Sequence, residues 1–380
     1  MMKKAHYADL GLFGDWVDAA QRSHPLYPTA KPGRATQKRL LKTLSFLPES
    51  VRPQQAHVDQ RWTADGVDGE LVTWSVGYGP RTEAFLLRPA GIKDALPGVL
   101  ALHDHGGFKY FGKEKIADGP RGALRSVAPH RTQYYSERAF ANDLARRGFA
   151  VLVPDVFMWG SRKFPAQTIA QATWQNTPDI NDQDPDPDIE AVDAYNAITG
   201  RHEDCLERYA AILGTTIAGV MTFEDRVATA YLNSRQDVRP GGLACIGLSG
   251  GGMRTTWLNA TCNDVRAAVV VGLMSTWGGL LDHNVNLHAW GFFPHEVARY
   301  ADWPDIAACR APSPLMVQYD NEDNLFTLAG MRAAHRRLQA HYRQAGASPS
   351  YKGKFYPGPH KFDSAMQKDA FAWLEIQMRP

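Results

Sequence analysis

The chain has 380 residues, 44% hydrophobic and 22% charged, with 33 glycines and 24 prolines spread along it, a composition that excludes disordered, collagen-like and coiled-coil proteins. The formal charge is +2, from 42 basic and 40 acidic side chains without blocks of like charge, so neither nucleic acid nor an anionic membrane is expected as a partner. Four cysteines, Cys205, Cys245, Cys262 and Cys309, form no CxxC pair and read as buried thiols of a reducing compartment. The opening MMKKAHYADLGLFGDW lacks an apolar signal core, and no apolar run reaches about 18 residues, so a soluble cytoplasmic protein is expected.

Residues 1–60 mix helix formers with five prolines and lack period-two alternation, which predicts a helical arm packed on a main body spanning 61–380. In that body, ELVTWSV (70–76) and EAFLLRP (83–89) flank the turn sequence GYGPR and predict a β-hairpin. PGVLALHDHGG reads as a strand buried on both faces, ending at His103, Asp104 and His105. YYSERAFANDLARRG (134–148) has helical spacing and ends in glycine, and the strand-like FAVLVPD follows. An insertion rich in Trp, Asp and Pro occupies about 156–224. Helices are then predicted in DRVATAYLNSR, MRTTWLNAT, MRAAHRRLQAHYRQAG and DSAMQKDAFAWLEIQM, with strands GLACIGL, RAAVVVGLM, SPLMVQY and YKGKFY between them. Such alternation gives an α/β class fold, a mostly parallel central sheet with helices on both faces.

The strongest chemical signal is Gly247-Leu248-Ser249-Gly250-Gly251, placed where an apolar strand gives way to a helix. A G-x-S-x-G turn needs small residues because the bend is tight, and it lifts the serine hydroxyl above the sheet edge. Ser249 is the candidate nucleophile. It needs a base, and the base needs an orienting acid. His360 in GPHKFD stands between the last strand and the last helix; His335 and His341 lie on an amphipathic helix, and His283, His288 and His295 precede the acid. For the acid, Asp320, Glu322 and Asp323 compete after PLMVQY, and the usual four-residue Gly-x-x-Asp loop selects Asp323, with Asp320 at the glycine position. Oxyanion donors are expected from the backbone of Gly250 and from His105 or Gly106.

Two other patterns point elsewhere. His103-x-His105 has metal-ligand spacing, but Gly, Gly, Phe and Lys follow it, so no metal is expected. The run DINDQDPDPDIE (179–190) approximates a calcium loop, yet Asp184 stands at the required glycine and two prolines interrupt it, so it reads as an exposed acidic loop.

In the segments PGVLALHDHGG, FAVLVPDVFMWGSR, GLSGGG, PLMVQYDNED and GPHKFD, over about 61–380, the chain resembles the α/β-hydrolase superfamily and, inside it, the dienelactone hydrolase and acetyl xylan esterase-like branch. The resemblance implies a cofactor-independent serine hydrolase of carboxylic esters, with Ser249, Asp323 and His360 as triad. Asp104 stands where many relatives have glycine, and the nucleophile is serine where dienelactone hydrolases use cysteine. A short-acyl ester such as an acetylated sugar is therefore the expected small-molecule substrate. A peptidase of the prolyl-oligopeptidase kind would share these residues but adds a propeller for which the chain leaves no room, and a non-catalytic binder would typically have lost a triad member.

The pocket is expected from loops at the C-terminal strand ends: His130 and Tyr134, Trp159 and Arg162, and Trp277, His283, His288 and Trp290. Six of the ten tryptophans lie between 155 and 310, which favours an aromatic-walled site.

Overall fold

The computed structural model describes residues 7–282 and 284–379, so the candidate His283 lies outside the described residues. Two helices, α1 (Asp15–Ser23) and α2 (Arg34–Leu44), precede the sheet. A first strand, β1 (Gln54–Ala64), starts inside the stretch read from sequence as the arm, and it leads into the hairpin β2 (Val67–Ser75) and β3 (Thr82–Pro89). The hairpin pairs antiparallel, closing with Trp74 opposite Thr82, across the predicted turn.

The parallel part starts with β4 (Gly98–Leu102), followed by α3 (Ala128–Tyr135), α4 (Phe140–Arg146) and β5 (Ala150–Pro154). The helix expected over 134–148 is thus broken: Ser136 and Glu137 both have positive φ, 54° and 63°, which ends one helix and redirects the chain. The insertion carries α5 (Ala166–Thr173), the 24-residue α6 (Ile189–Ile212) and the first part of α7 (Ile217–Asn233). Then follow β6 (Leu243–Leu248), α8 (Gly250–Thr261), β7 (Val265–Val271), α9 (Trp303–Ala307) and β8 (Leu315–Asp320). The chain closes with α10 (Leu328–Gln344), β9 (Tyr351–Tyr356) and α11 (Ser364–Gln377).

The nine strands form one sheet in the order β1-β2-β3-β5-β4-β6-β7-β8-β9. From β5 to β9 every neighbour is parallel. The three central strands, β5, β4 and β6, are apolar and buried at every position because both faces are covered. In β4, Leu100 and Leu102 join a core that includes α2, α7 and α10, whereas Val99 and Ala101 face a second core with α4 and α11. This layering places the C-terminal ends of β4, β6, β8 and β9, and the loops leaving them, along one edge. No helix among the described residues is long and apolar enough to cross a membrane.

Candidate active site

Ser249 occupies the one-residue step between β6 and α8 with φ 55° and ψ −118°. A non-glycine residue held there stores roughly 1–3 kcal/mol of backbone strain and persists only where its surroundings over-determine it. Its amide donates to Val271 O at 2.9 Å, and its carbonyl accepts the Met253 amide at 2.9 Å. The glycines answer to close approach: a Cβ on Gly251 would sit 2.0 Å from Leu102 O, and one on Gly250 would sit 2.6 Å from His105 N. The elbow and the loop after β4 therefore touch through their backbones.

His360 leaves β9 on the loop before α11, and its Nδ1 lies 2.7 Å from Asp323 Oδ2. Asp323 is held in turn by the Leu325 amide, which donates to Oδ1 at 2.8 Å. The other ring nitrogen, Nε2, is buried and has no hydrogen-bond partner among the described residues. Burial alone would lower the imidazole's affinity for a proton, but the bond to Asp323 and the charges of Asp323, Asp320 and Asp104 raise it above the ordinary value. Of the rival carboxylates, Asp320 receives, among the described residues, only the Lys361 amide, at 3.2 Å, and leaves Oδ1 without a partner there; burial pushes its carboxyl up to about 7. Glu322 turns outward to the Gly358 amide, 3.2 Å away.

Asp320, Asp323 and His360 also offer ligand atoms within 4.8 Å of one another, a spacing open to a cation. Nδ1 is already engaged by Asp323, the arrangement of an oriented imidazole. The two histidines of the His-x-His pair diverge, His103 Nδ1 to the Asp104 carbonyl and His105 Nε2 to Glu203. The acidic run 179–190 is used locally, Asp182 on the Ala166 amide and Asp186 on Ser126.

The loop after β4 is fixed from beneath by buried charge. Asp104 accepts from the Tyr135 hydroxyl at 2.5 Å, from His130 Nε2 at 3.1 Å and from Lys115 Nζ at 3.3 Å. Burial works against its ionisation, but Lys115 and His130 hold the carboxyl well below the usual range. Lys115, itself pushed down to about 8 by burial, also donates to the main-chain carbonyls of Asp104 and His105. With its carbonyls tied down, the loop leaves the His105 amide beside Gly250, and neither amide donates to an acceptor among the described residues. Gly106 adopts φ 57°, and its amide is likewise without an acceptor.

A cavity of about 240 Å³ opens between these groups, lined by Ser249, His360, His105 and Gly250. Of the candidates from sequence, Gly106, Tyr134, Trp159 and His288 also line it. Four others stand elsewhere. His130 is buried behind the loop on Asp104, and Arg162 is buried in an ion pair with Glu224 at 2.6 Å. Trp277 is buried, its indole N–H on the Ala301 carbonyl, and Trp290 is 40% exposed with its indole on Asp204. Each of these polar tips is consumed by a partner distant in sequence, which composition and spacing do not reveal.

The sequence reading missed Glu203. This α6 carboxylate lines the cavity, accepts from Lys109 Nζ at 2.5 Å, His105 Nε2 at 3.0 Å and the Trp290 amide at 3.0 Å, and so ties two loops to α6. Burial opposes its charge, but Lys109 and His105 hold its carboxyl far below the usual range. No local signal marked it, since acids are common on a long polar helix.

A strand-borne serine elbow on a central parallel sheet, with the acid after β8 and the histidine after β9, decides the architecture. The chain has the α/β-hydrolase fold. Solved structures agree: a “putative acetyl xylan esterase” from Bacteroides fragilis NCTC 9343 superposes with TM-score 0.65 at 14% identity, covering 91% of this chain and 82% of that one. A glucuronoyl esterase from Solibacter usitatus gives TM-score 0.60 at 13% identity, over 90% and 92% of the two chains. Acetyl xylan esterase 1 from Thermoanaerobacterium sp. JW/SL YS485 gives 0.53 at 12%, over 94% and 98%. In sequence, the chain is 23% identical over 302 residues to “Putative hydrolase YtaP” of Bacillus subtilis (strain 168), covering 78% of this chain and 83% of that protein. No family model matches.

Proposed function

We propose that this α/β-hydrolase-fold protein is a serine-dependent hydrolase of small carboxylic esters, working through an acyl-enzyme without a cofactor. One observation carries the reading: His360, its Nδ1 engaged by Asp323, leaves a buried, unpartnered Nε2 on the same cavity as the strained Ser249. A base so oriented has one free lone pair to accept a proton, and the elbow supplies the hydroxyl. The esterase names of the structural neighbours support the ester as substrate class.

In the forward step, His360 Nε2 takes the Ser249 proton as Oγ attacks the ester carbonyl. The developing oxyanion is received by the amides of Gly250 and His105 or Gly106, and the imidazolium returns its proton to the leaving alkoxide. Water enters by the same route, releasing the carboxylic acid and restoring the serine. The Tyr134 ring, 6.2 Å from the His360 ring at a near-perpendicular angle, walls one side of the imidazole. Lengthened by α1, α2 and the 156–224 insertion, the body forms a single catalytic domain in this reading, and three buried thiols, Cys245, Cys262 and Cys309, suit a cytoplasmic setting.

Ser249→Ala is expected to lower kcat/KM by about 10⁴-fold or more while the protein unfolds at an unchanged or slightly higher temperature, because the strained serine is not needed for packing. A fluorophosphonate probe should label the wild type at Ser249 only. Retained ester hydrolysis in the alanine variant, or labelling at another residue, would sink the assignment.

A further inference from the structure

Building on the ester-hydrolase reading, we infer that the preferred substrate is an ester whose larger portion is apolar, a medium-length alkyl or aryl ester, in place of an acetylated sugar. The juxtaposition that carries this is a cavity with an aliphatic, sulfur and aromatic wall whose polar side chains are already spent. Beyond the catalytic groups, α7 contributes Ile217 and Met221, α8 contributes Met253, and the loops before α9 and α10 contribute Leu287, Phe292 and Phe326. Leu287 is 49% exposed, so the apolar surface continues to the mouth.

A polyhydroxylated alcohol would need donors and acceptors in this wall, because each buried hydroxyl left unpaired costs binding. The wall does not offer them. Arg254 gives both ends of its guanidinium to Asp225, at 2.6 and 3.0 Å. Glu203 is saturated by Lys109, His105 and the Trp290 amide. His288 spends Nε2 on the Leu325 carbonyl at 3.0 Å, stacks on Phe292 with ring centres 4.7 Å apart, and is pushed down to about 4 by burial, so it is neutral near pH 7. Trp159 points its indole N–H at the His105 carbonyl. His103 Nε2 has no partner among the described residues, but it faces Gly112, 3.0 Å from where that residue's Cβ would stand. Among the described residues, what remains open toward the cavity is the reacting pair, Ser249 Oγ and His360 Nε2, with the Gly250, His105 and Gly106 amides that face the oxyanion and the Tyr134 hydroxyl, which accepts from Gln133. A free carboxylate on the substrate is disfavoured for the same reason, since no unpaired cation lines the cavity among the described residues.

Gly291, Met221 and Met253 set the depth. A Cβ on Gly291 would lie 3.0 Å from Met253 Cε and 3.7 Å from Met221 Sδ, so the glycine is what lets the two flexible thioethers lie back from the cavity.

The test measures kcat/KM by acid release for three sets: methyl esters of straight-chain acids from acetate to decanoate, acetates of straight-chain alcohols over the same range, and xylose tetraacetate. In one of the two series, kcat/KM should rise roughly fourfold per added methylene until the cavity is full, and its best member should exceed xylose tetraacetate by about tenfold or more. Which series rises tells whether the acyl or the alcohol side occupies the wall. Met221→Trp and the milder Gly291→Ala should each move the optimum to shorter chains, the second variant guarding against misfolding of the first. Flat or falling profiles in both series, a preference for xylose tetraacetate, or an optimum unmoved by both variants would overturn the inference while leaving the ester hydrolase standing. Absence of all turnover together with absence of fluorophosphonate labelling would overturn both.

Discussion

At the position after β8, two aspartates three residues apart compete for one histidine, and their surroundings separate them. Asp323 has the 2.7 Å bond to Nδ1, whereas Asp320 has an oxygen without a partner among the described residues and a carboxyl that burial pushes up to about 7. In the proposed mechanism His360 must be neutral to accept the serine proton, and its surroundings raise its pKa above the usual ~6.5, so kcat/KM should rise with pH through a midpoint above that value. Asp320→Asn removes one of the raising charges, so the midpoint should move to lower pH with only a modest change in the plateau. Asp323→Asn should shift the midpoint the same way and also lower the plateau by about 10⁴-fold, since the tautomer is no longer held. A pH–rate profile of both variants decides the matter, and a collapse in the Asp320 variant alone would exchange their roles. That Asp323 is the carboxylate bonded to His360 follows from loop length, which is written in the chain. Where a loop side chain points is not: His130, Arg162, Trp277 and Trp290 bond partners far away in sequence, while Tyr134, Trp159 and His288, with nothing local to distinguish them, reach the cavity.

Among the elements, the buried strands and the elbow were readable because runs such as LACIG and RAAVVV admit few other structures. The strand β1 was not, since nearly every residue in it is exposed or half-buried and no alternation survives. The break between α3 and α4 was hidden for another reason: the left-handed residues are Ser136 and Glu137, which carry no glycine or proline signature. The function of α6 is the largest element-level omission. Its Glu203 side chain, 6% exposed, neutralises Lys109, 4% exposed, so Glu203→Gln leaves a buried cation unpaired and should cost about 3–5 kcal/mol at neutral pH. The carboxyl is held below its unfolded value near 4.5, so its stabilisation is present above that pH and is lost as pH falls through the folded value. The deficit of the glutamine variant in urea melts should therefore be full at pH 7 and shrink below about pH 4. A deficit independent of pH would show that packing, not charge, is what the residue supplies.

On the scale of the whole molecule, the N-terminal helices are not an appendage. Leu40 and Leu44 of α2 are fully buried in the core shared with α7 and α10, Thr216 donates its hydroxyl to Leu44 O at 3.0 Å, and Gly33 and Tyr27 bond the backbone near α9. A Cβ on Gly219 would stand 2.1 Å from Leu44 O, so α2 and α7 meet backbone to backbone. Leu40→Ala should cost about 2–5 kcal/mol in urea unfolding, as for any enclosed leucine, and unfolding should remain a single transition. Two separated transitions would mean that the arm melts by itself.

The carboxylate of Glu203 has one more consequence, for anyone who would recombine this scaffold. The insertion is tied to the loop after β4 by Glu203 Oε2, which bonds Lys109 and His105, and to the Trp290 loop by Oε1. Exchanging residues 156–224 for the corresponding stretch of another protein of this fold would strip the partner from a buried lysine and slacken the peptide that carries the His105 amide. A chimera made there inherits a serine and a histidine without the floor beneath them, so the unit that can be transplanted is the insertion together with residues 103–115, not either alone.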